Sequence, residues 1–382
     1  MGTYDPTGQQ GLHFHTAVAD FLSGGDTPRA YLERCLETIA AREPLIKAYA
    51  AVNEDGARAA ADAATDRYQA GQPLSPIDGM PISIKDLLET KDMPTQMGCE
   101  AYLGNFPKND NAAVWALRQA GAVILGKTVT AELGGTHPGP TTNPFDPERT
   151  PGGSSSGSAA AVASAMVPAA IGTQVGGSII RPAAFCGNVA LKPTQGGINR
   201  GERQATSMST HGVHAACIED MWQTAIEIAS RAGGDRGCLG LYGPATPPGP
   251  QKPERLIVLE TAGWSILDDG SKSAFEGLLE SLRRAGITLL RRRDNILVEA
   301  LEEAIAEANA IAGAITRWEN RWAHRNLVDQ KAEFVSDRLK AGLALAEAMS
   351  PDDYRAALTA RAAAQHCHAT VAPLADAAIT LS

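Results

Sequence analysis

Aromatic residues make up only 5% of the 382 residues, and several features are missing from the sequence altogether. Acidic residues outnumber basic ones, and the net charge of −9 gives no support for a nucleic-acid partner. No apolar stretch approaches the roughly 18 residues that a membrane-spanning helix needs. The first residues also lack the basic and apolar segments of a secretory signal. These absences predict a cytoplasmic protein that binds neither nucleic acid nor membrane.

Motifs for metals and cofactors are missing too. The six cysteines contain no CxxC pair, which is typical of reduced, mostly buried thiols. Three close histidine pairs have no Cys, Asp or Glu nearby at a spacing characteristic of metal sites. Residues 121–128 fit the Walker A pattern, but the apolar residues inside it indicate a strand rather than a phosphate loop. The sequence therefore predicts no metal and no organic cofactor.

Hydrophobic residues are plentiful at 44%, so the chain can bury a large core. Strand-like residues at 81–85 and 122–125 flank a helical pattern at 111–120. This alternation of strand and helix predicts an α/β sheet. The polar, glycine-rich stretch 196–214 is typical of a surface loop, and residues 376–381 resemble a buried strand.

Two clusters of small residues stand out in the middle of the chain. Gly152-Gly153-Ser154-Ser155-Ser156-Gly157-Ser158 is the first, and Gly176-Gly177-Ser178 is the second. A helix-compatible, alanine-rich segment lies between them at 159–167. Glycine lets the main chain approach a ligand closely, and serine hydroxyls both donate and accept protons. The combination indicates main-chain amides and hydroxyls arranged around a developing oxyanion.

These clusters resemble the amidase signature of the Ser–Ser–Lys amidohydrolases. Ser154 and Ser178 are 24 positions apart (178 − 154), as are the bridging serine and the nucleophile of that family. The family also carries a lysine in a motif like PIxIKD, and this chain has Pro81-Ile82-Ser83-Ile84-Lys85-Asp86. The resemblance is close over residues 78–229. It implies a mixed β-sheet sandwiched between α-helices, in a single amidase domain spanning residues 1–382.

The resemblance also implies a role for each matching residue. Lys85 is the base, and Ser154, which follows a cis peptide bond, relays the proton of the nucleophile Ser178. Ser155 supports the triad by hydrogen bonding. The oxyanion hole is formed by the main-chain amides of four successive residues, Val175, Gly176, Gly177 and Ser178. Burial disfavours the charged ammonium, so a buried Lys85 is expected to be neutral and able to act as a base.

The sequence departs from the family pattern around the nucleophile. Gln174 and Ile180 replace the usual Asp and Arg, Arg181 follows one position later, and Ser156 replaces a usual Gly. Some family members share this Gln and shifted Arg, and in them the Arg is thought to bind a carboxylate of the substrate. Two roles are therefore open for Arg181, namely substrate binding and a structural ion pair.

The predicted function is hydrolysis of a carboxylic amide C–N bond in a small linear substrate through a Ser178 acyl-enzyme. One alternative is the amidase subunit of a tRNA-dependent amidotransferase, and another is a non-catalytic binding protein on the same fold. Similar proteins are commonly homodimers. They also generally continue past a strand like 376–381, so we expect either a chain whose C-terminal end is incomplete or a short family member.

Overall fold

The computed structural model describes residues 11–135, 137–202 and 206–382. The chain divides into two compact units. The first unit takes in the residues up to Pro248 together with Trp322–Ala341, and the second takes in Gly249–Arg321 and Gly342–Ser382. The single domain over residues 1–382 stays a prediction.

A six-stranded sheet forms the centre of the first unit, with the strand order β1-β3-β2-β4-β6-β5. Strand β2 is parallel to both of its neighbours, β3 and β4, whereas the remaining pairs are antiparallel. The strands are β1 Tyr49–Val52, β2 Pro81–Lys85, β3 Val123–Thr128, β4 Ala169–Gln174, β5 Val189–Leu191 and β6 Thr210–Ala215. The sheet is therefore mixed, as the sequence predicted.

Helices cover both faces of this sheet. The α-helices that lie wholly in this unit, within the described residues, are α1 Phe14–Ser23, α2 Pro28–Ile46, α3 Glu54–Gln69, α4 Ala112–Gln119, α5 Ser156–Ala163, α6 Ile180–Phe185 and α7 Ile218–Ala232. Because side chains alternate along a strand, Ile82 and Ile84 face a core shared with α4 and α7. Ala170 faces the opposite core, which contains residues of α5. The layered α/β architecture predicted from the sequence is confirmed.

The Walker A match lies largely within β3, as its apolar residues indicated. One sequence prediction was wrong in part. The stretch 196–214 was predicted to be surface loop, but Thr210 begins β6, a fully buried strand between β4 and β5. Its sequence, Thr-His-Gly-Val-His-Ala, offers little apolar alternation, so pairing with two neighbouring strands outweighs the weak local signal.

The second unit contains a smaller parallel sheet in the order β8-β7-β9. Its strands are β7 Arg255–Val258, β8 Thr288–Leu290 and β9 Ala377–Ile379. The helices from residue 269 onward are α8 Asp269–Arg284, α9 Ile296–Ile305, α10 Ala308–Lys331, α11 Asp337–Glu347 and α12 Pro351–Val371, of which α10 and α11 supply residues to both units. The strand predicted at 376–381 exists, but Ala377 and Ala378 are exposed, so its predicted burial was wrong.

Across the described ranges 11–135, 137–202 and 206–382, every helix is too short or too polar to cross a membrane.

Candidate active site

The two serine clusters and Lys85 meet at one edge of the six-stranded sheet. Lys85 is the last residue of β2, and the loop 175–179 follows the last residue of β4. Parallel strands end at the same edge of a sheet, so the end of β2 and the end of β4 are neighbours. Ser154 and Ser155 immediately precede α5, which packs on this sheet. The topology thus gathers residues that are far apart in sequence.

Lys85 is completely buried and surrounded by hydroxyl groups. Its Nζ lies 2.8 Å from Ser154 Oγ and 3.0 Å from Ser155 Oγ. Thr173 contributes both its Oγ1, at 3.0 Å, and its carbonyl oxygen, at 3.3 Å. Burial lowers the pKa of Lys85 well below its usual value, because water no longer solvates the ammonium. A neutral amine in this position can accept a proton from a hydroxyl.

Among the residues that the structure describes, no carboxylate pairs with Lys85 to compensate for this burial. The neighbouring Asp86 turns to Lys127 on β3, with 3.0 Å between Lys127 Nζ and Asp86 Oδ1. Within the described parts of the chain, no ion pair involves Lys85 itself. Lys85 therefore lacks the nearby negative charge that would stabilise its protonated form.

Further main-chain and side-chain contacts surround Ser154 and Ser155 beside Lys85. The Gly153–Ser154 peptide bond is cis, as the family resemblance implied. Ser155 Oγ also donates to the carbonyl oxygen of Thr173 at 3.2 Å, and its main-chain N–H donates to the carbonyl of Ser178 at 3.2 Å. This last bond joins the first serine cluster to the second.

The contact between Ser178 and the first serine cluster is made by the main-chain carbonyl of Ser178, which accepts from Ser155, and not by its hydroxyl. Its side chain is partly exposed. Among the described residues, no hydrogen bond joins the Ser178 hydroxyl to Ser154. The structure thus brings Lys85, Ser154 and Ser155 into direct contact and places Ser178 on the adjoining loop.

The loop of Val175, Gly176, Gly177 and Ser178 connects β4 to α6. Gly177 has a φ of +102°, in the left-handed region that favours glycine. The part of the chain that the structure describes supplies no acceptor for the N–H groups of Gly176, Gly177 or Ser178. Free N–H groups on one tight loop are suited to binding an oxyanion.

Gln174 and Arg181, two of the residues that depart from the family pattern, form hydrogen bonds with this loop. Gln174 Oε1 accepts hydrogen bonds from the main-chain N–H groups of Ile179 at 2.8 Å and Ile180 at 3.0 Å. The Arg181 guanidinium donates to the carbonyls of Gly153 at 3.2 Å and Gly176 at 2.8 Å. Within the described ranges Arg181 forms no ion pair with a carboxylate. It connects the two serine clusters, so the structural ion pair considered from the sequence is not formed.

A cavity of about 780 Å³ adjoins Thr173. Its lining includes Leu87, Trp115, Arg200 and His211. Burial lowers the pKa of His211 to about 4, so its imidazole is neutral near pH 7. Neither Thr173 nor His211 was identified as a site residue from the sequence. The only indication in the sequence that Thr173 belongs to the site was its position five residues before Ser178.

Comparisons with known proteins show which family the chain belongs to. The family model named Amidase matches residues 30–375, and the chain belongs to this family. Its fold matches a crystal structure of an amidase with a TM-score of 0.79 and 29% identity, over 94% of this chain and 79% of that one. A second match is a structure of a vestigial protein complex that bears on the evolutionary origins of an s-triazine catabolic enzyme. Its TM-score is 0.78 and its identity 26%, over 93% of this chain and 78% of that one.

Curated relatives match part of the chain. The A subunit of glutamyl-tRNA(Gln) amidotransferase from Chloroflexus aurantiacus is 46% identical over 192 residues, or 48% of this chain and 39% of that protein. The corresponding protein from Anaeromyxobacter dehalogenans is 38% identical over 271 residues, or 68% of this chain and 55% of that protein. The chain therefore spans about two fifths to somewhat over half of the length of these relatives.

Proposed function

We propose that this protein hydrolyses the C–N bond of a carboxylic amide through an acyl-enzyme on Ser178. The observation that carries the proposal is the 2.8 Å contact between Lys85 Nζ and Ser154 Oγ in a buried setting. A serine hydroxyl is a weak nucleophile unless a base removes its proton. A neutral lysine in hydrogen-bond reach of a bridging serine can provide that base.

The reaction begins with proton transfer from Ser178 to Ser154 and from Ser154 to Lys85, as the Ser178 oxygen attacks the amide carbonyl. The oxyanion that forms is stabilised by the main-chain N–H groups of Val175, Gly176, Gly177 and Ser178. Removing a single oxyanion donor costs about 10²–10³ in rate in enzymes of this kind. Ser155 and Thr173 keep Lys85 aligned.

The leaving amine takes the proton that Lys85 received, which returns through Ser154, and the C–N bond breaks. Water then attacks the Ser178 ester and loses a proton through the same relay, releasing the carboxylic acid and restoring Ser178. General acid–base catalysis of this kind contributes about 10²–10⁴ in rate. The sequence of steps uses only residues at this edge of the sheet.

A second candidate function is the amidase subunit of a tRNA-dependent amidotransferase. The names of the curated relatives favour it. In that function the acyl donor would be the side-chain amide of glutamine, and the released ammonia would go to a partner protein. The two candidates share the acyl-enzyme and differ in the amide that forms it.

Hydroxylamine capture distinguishes these candidates. The purified chain is incubated with hydroxylamine and either glutamine or a panel of simple aliphatic and aryl amides, and hydroxamates are measured by mass spectrometry. We expect hydroxamates from simple amides, and none from the Ser178→Ala variant. Hydroxamate from glutamine alone would favour the amidotransferase function. A Ser178→Ala variant as active as the wild type would contradict both.

A further inference from the structure

A cluster of metal-binding side chains lies away from the catalytic edge of the sheet. His15, Cys217 and Glu219 each place one potential ligand atom so that all three atoms lie within 4.8 Å of one another. Cys217 follows β6 at the end where Ala215 pairs with Ala169, the first residue of β4. Lys85 and Ser178 lie at the other end of β4. The cluster is thus separate from the proposed active site.

The closest pair in this cluster has the spacing of two zinc ligands. His15 Nδ1 lies 3.5 Å from Cys217 Sγ. With Zn–S of about 2.3 Å and Zn–N of about 2.0–2.1 Å, a tetrahedral ion separates its sulfur and nitrogen ligands by about 3.5 Å. A thiol, an imidazole and a carboxylate together are typical zinc ligands, whereas Ca²⁺ and Mg²⁺ prefer oxygen alone.

Asp220 fixes the position of His15. Its carboxylate accepts hydrogen bonds from the main-chain N–H groups of Phe14 at 2.7 Å and His15 at 2.9 Å, and its Oδ1 lies 3.2 Å from His15 Nδ1. Because Asp220 Oδ1 and Cys217 Sγ contact the same ring nitrogen, zinc binding at Nδ1 requires this nitrogen to give up its proton and its hydrogen bond to Asp220, while the two main-chain hydrogen bonds keep His15 in position. His15 and Glu219 are only partly buried, so an ion can reach them from solvent.

We propose that His15, Cys217 and Glu219 bind one Zn²⁺ ion, which fastens α1 to the start of α7. No metal was predicted from the sequence, because only ligands close together in the chain show a recognisable spacing. His15 and Cys217 are 202 positions apart, and only the packing of α1 beside α7 brings them together.

Cobalt substitution tests this proposal on the full chain. Protein treated with a chelator is titrated with Co²⁺, which gives a near-ultraviolet absorption band when a thiolate binds it, and then with Zn²⁺ as a competitor. We expect one Co²⁺ per chain, displaced by one Zn²⁺, and a higher melting temperature with zinc because the ion binds the folded state. No thiolate band in the wild-type protein would overturn the proposal.

Variants identify the ligands. Cys217→Ser should abolish the band, and His15→Ala and Glu219→Gln should each weaken Zn²⁺ binding by at least about tenfold. Cys238→Ser is the matched control, since Cys238 is an exposed thiol outside the cluster, and it should bind as the wild type does. Melting curves without metal verify that each variant folds. An unchanged band in a folded Cys217→Ser variant would contradict the assignment.

Discussion

Asp86 follows Lys85 directly in the chain, yet its carboxylate pairs with Lys127 on the neighbouring strand, with 3.0 Å between Asp86 Oδ1 and Lys127 Nζ. Both lysines are completely buried. Lys127 has a carboxylate partner, whereas Lys85 is surrounded by the hydroxyls of Ser154, Ser155 and Thr173. The sheet therefore holds two buried lysines, one paired with a carboxylate and one surrounded by hydroxyl groups.

The two lysines should respond differently to substitution by methionine. Lys127→Met leaves the Asp86 carboxylate buried without its partner, and we expect a loss of about 3–5 kcal/mol in the free energy of unfolding. Lys85→Met removes a neutral amine and its hydrogen bonds and should cost less than Lys127→Met, because it leaves no buried charge without its partner. Urea unfolding of both variants checks this.

A double variant provides the control. Asp86→Leu combined with Lys127→Met removes both charges and should recover part of the stability that Lys127→Met loses, since a buried pair replaced by apolar groups is often tolerated. Equal destabilisation by Lys85→Met and Lys127→Met would contradict the expected difference between a buried lysine with a carboxylate partner and one without.

The pH dependence of acylation should follow the charge of Lys85. Burial lowers its pKa well below 10.5, so Lys85 is neutral above that lowered pKa and protonated below it. Since only the neutral amine accepts a proton, acylation should decrease as the pH falls through this pKa and level off above it. Rates of Ser178 acylation across the pH range measure the effect. The residual rate of Lys85→Met should lack this decrease, and an identical profile in that variant would assign it to another group.

The site residues could be predicted because three motifs resemble the family signature, in the same order and with the same spacing. Lys85 ends a strand whose alternating isoleucines are visible, and glycine and serine clusters mark Ser154 and Ser178. The strand β2 was predicted at its observed bounds. The distances among these side chains, and the role of each in catalysis, are not contained in local sequence.

Gln174 should stabilise the nucleophile loop through its side-chain oxygen. Gln174→Ala leaves the N–H groups of Ile179 and Ile180 without their acceptor, at a cost of about 1–2 kcal/mol in the free energy of unfolding. Acylation of Ser178 should slow as well, because small misplacements of a nucleophile are costly. Gln174→Glu retains an oxygen acceptor and serves as the control. Wild-type stability and acylation rate in Gln174→Ala would show that these two hydrogen bonds are not needed to position the loop.

Arg181 should matter even for a neutral substrate. Its guanidinium connects the carbonyls of Gly153 and Gly176, so Arg181→Met should loosen both serine clusters. We expect acylation by an uncharged probe to slow by about tenfold or more, since alignment contributes strongly to rate. The comparison probe carries a carboxylate. A loss confined to that probe would instead make Arg181 a substrate ligand without a structural role.

Contacts between distant segments account for what the sequence did not reveal. Strand β6 contains two histidines and little apolar alternation, and its pairing with β4 places His211 opposite Thr173. Thr173 gives no local sign that its hydroxyl will meet Lys85. The cluster of His15 and Cys217 likewise arises only when α1 packs beside α7. Such features depend on tertiary pairing, which propensity and periodicity do not encode.

Labelling with a fluorophosphonate probe, followed by intact-mass analysis and peptide mapping, tests the central claim most directly. The proteins compared are the wild type, Ser178→Ala, Ser154→Ala, Lys85→Met and, as a control far from the site in sequence, Ser281→Ala. We predict one adduct per chain on Ser178, none in Ser178→Ala, labelling at least about 100-fold slower without Lys85 or Ser154, and an unchanged rate in Ser281→Ala. A folded wild-type protein that forms no adduct, or forms it on another residue, would contradict the proposed mechanism.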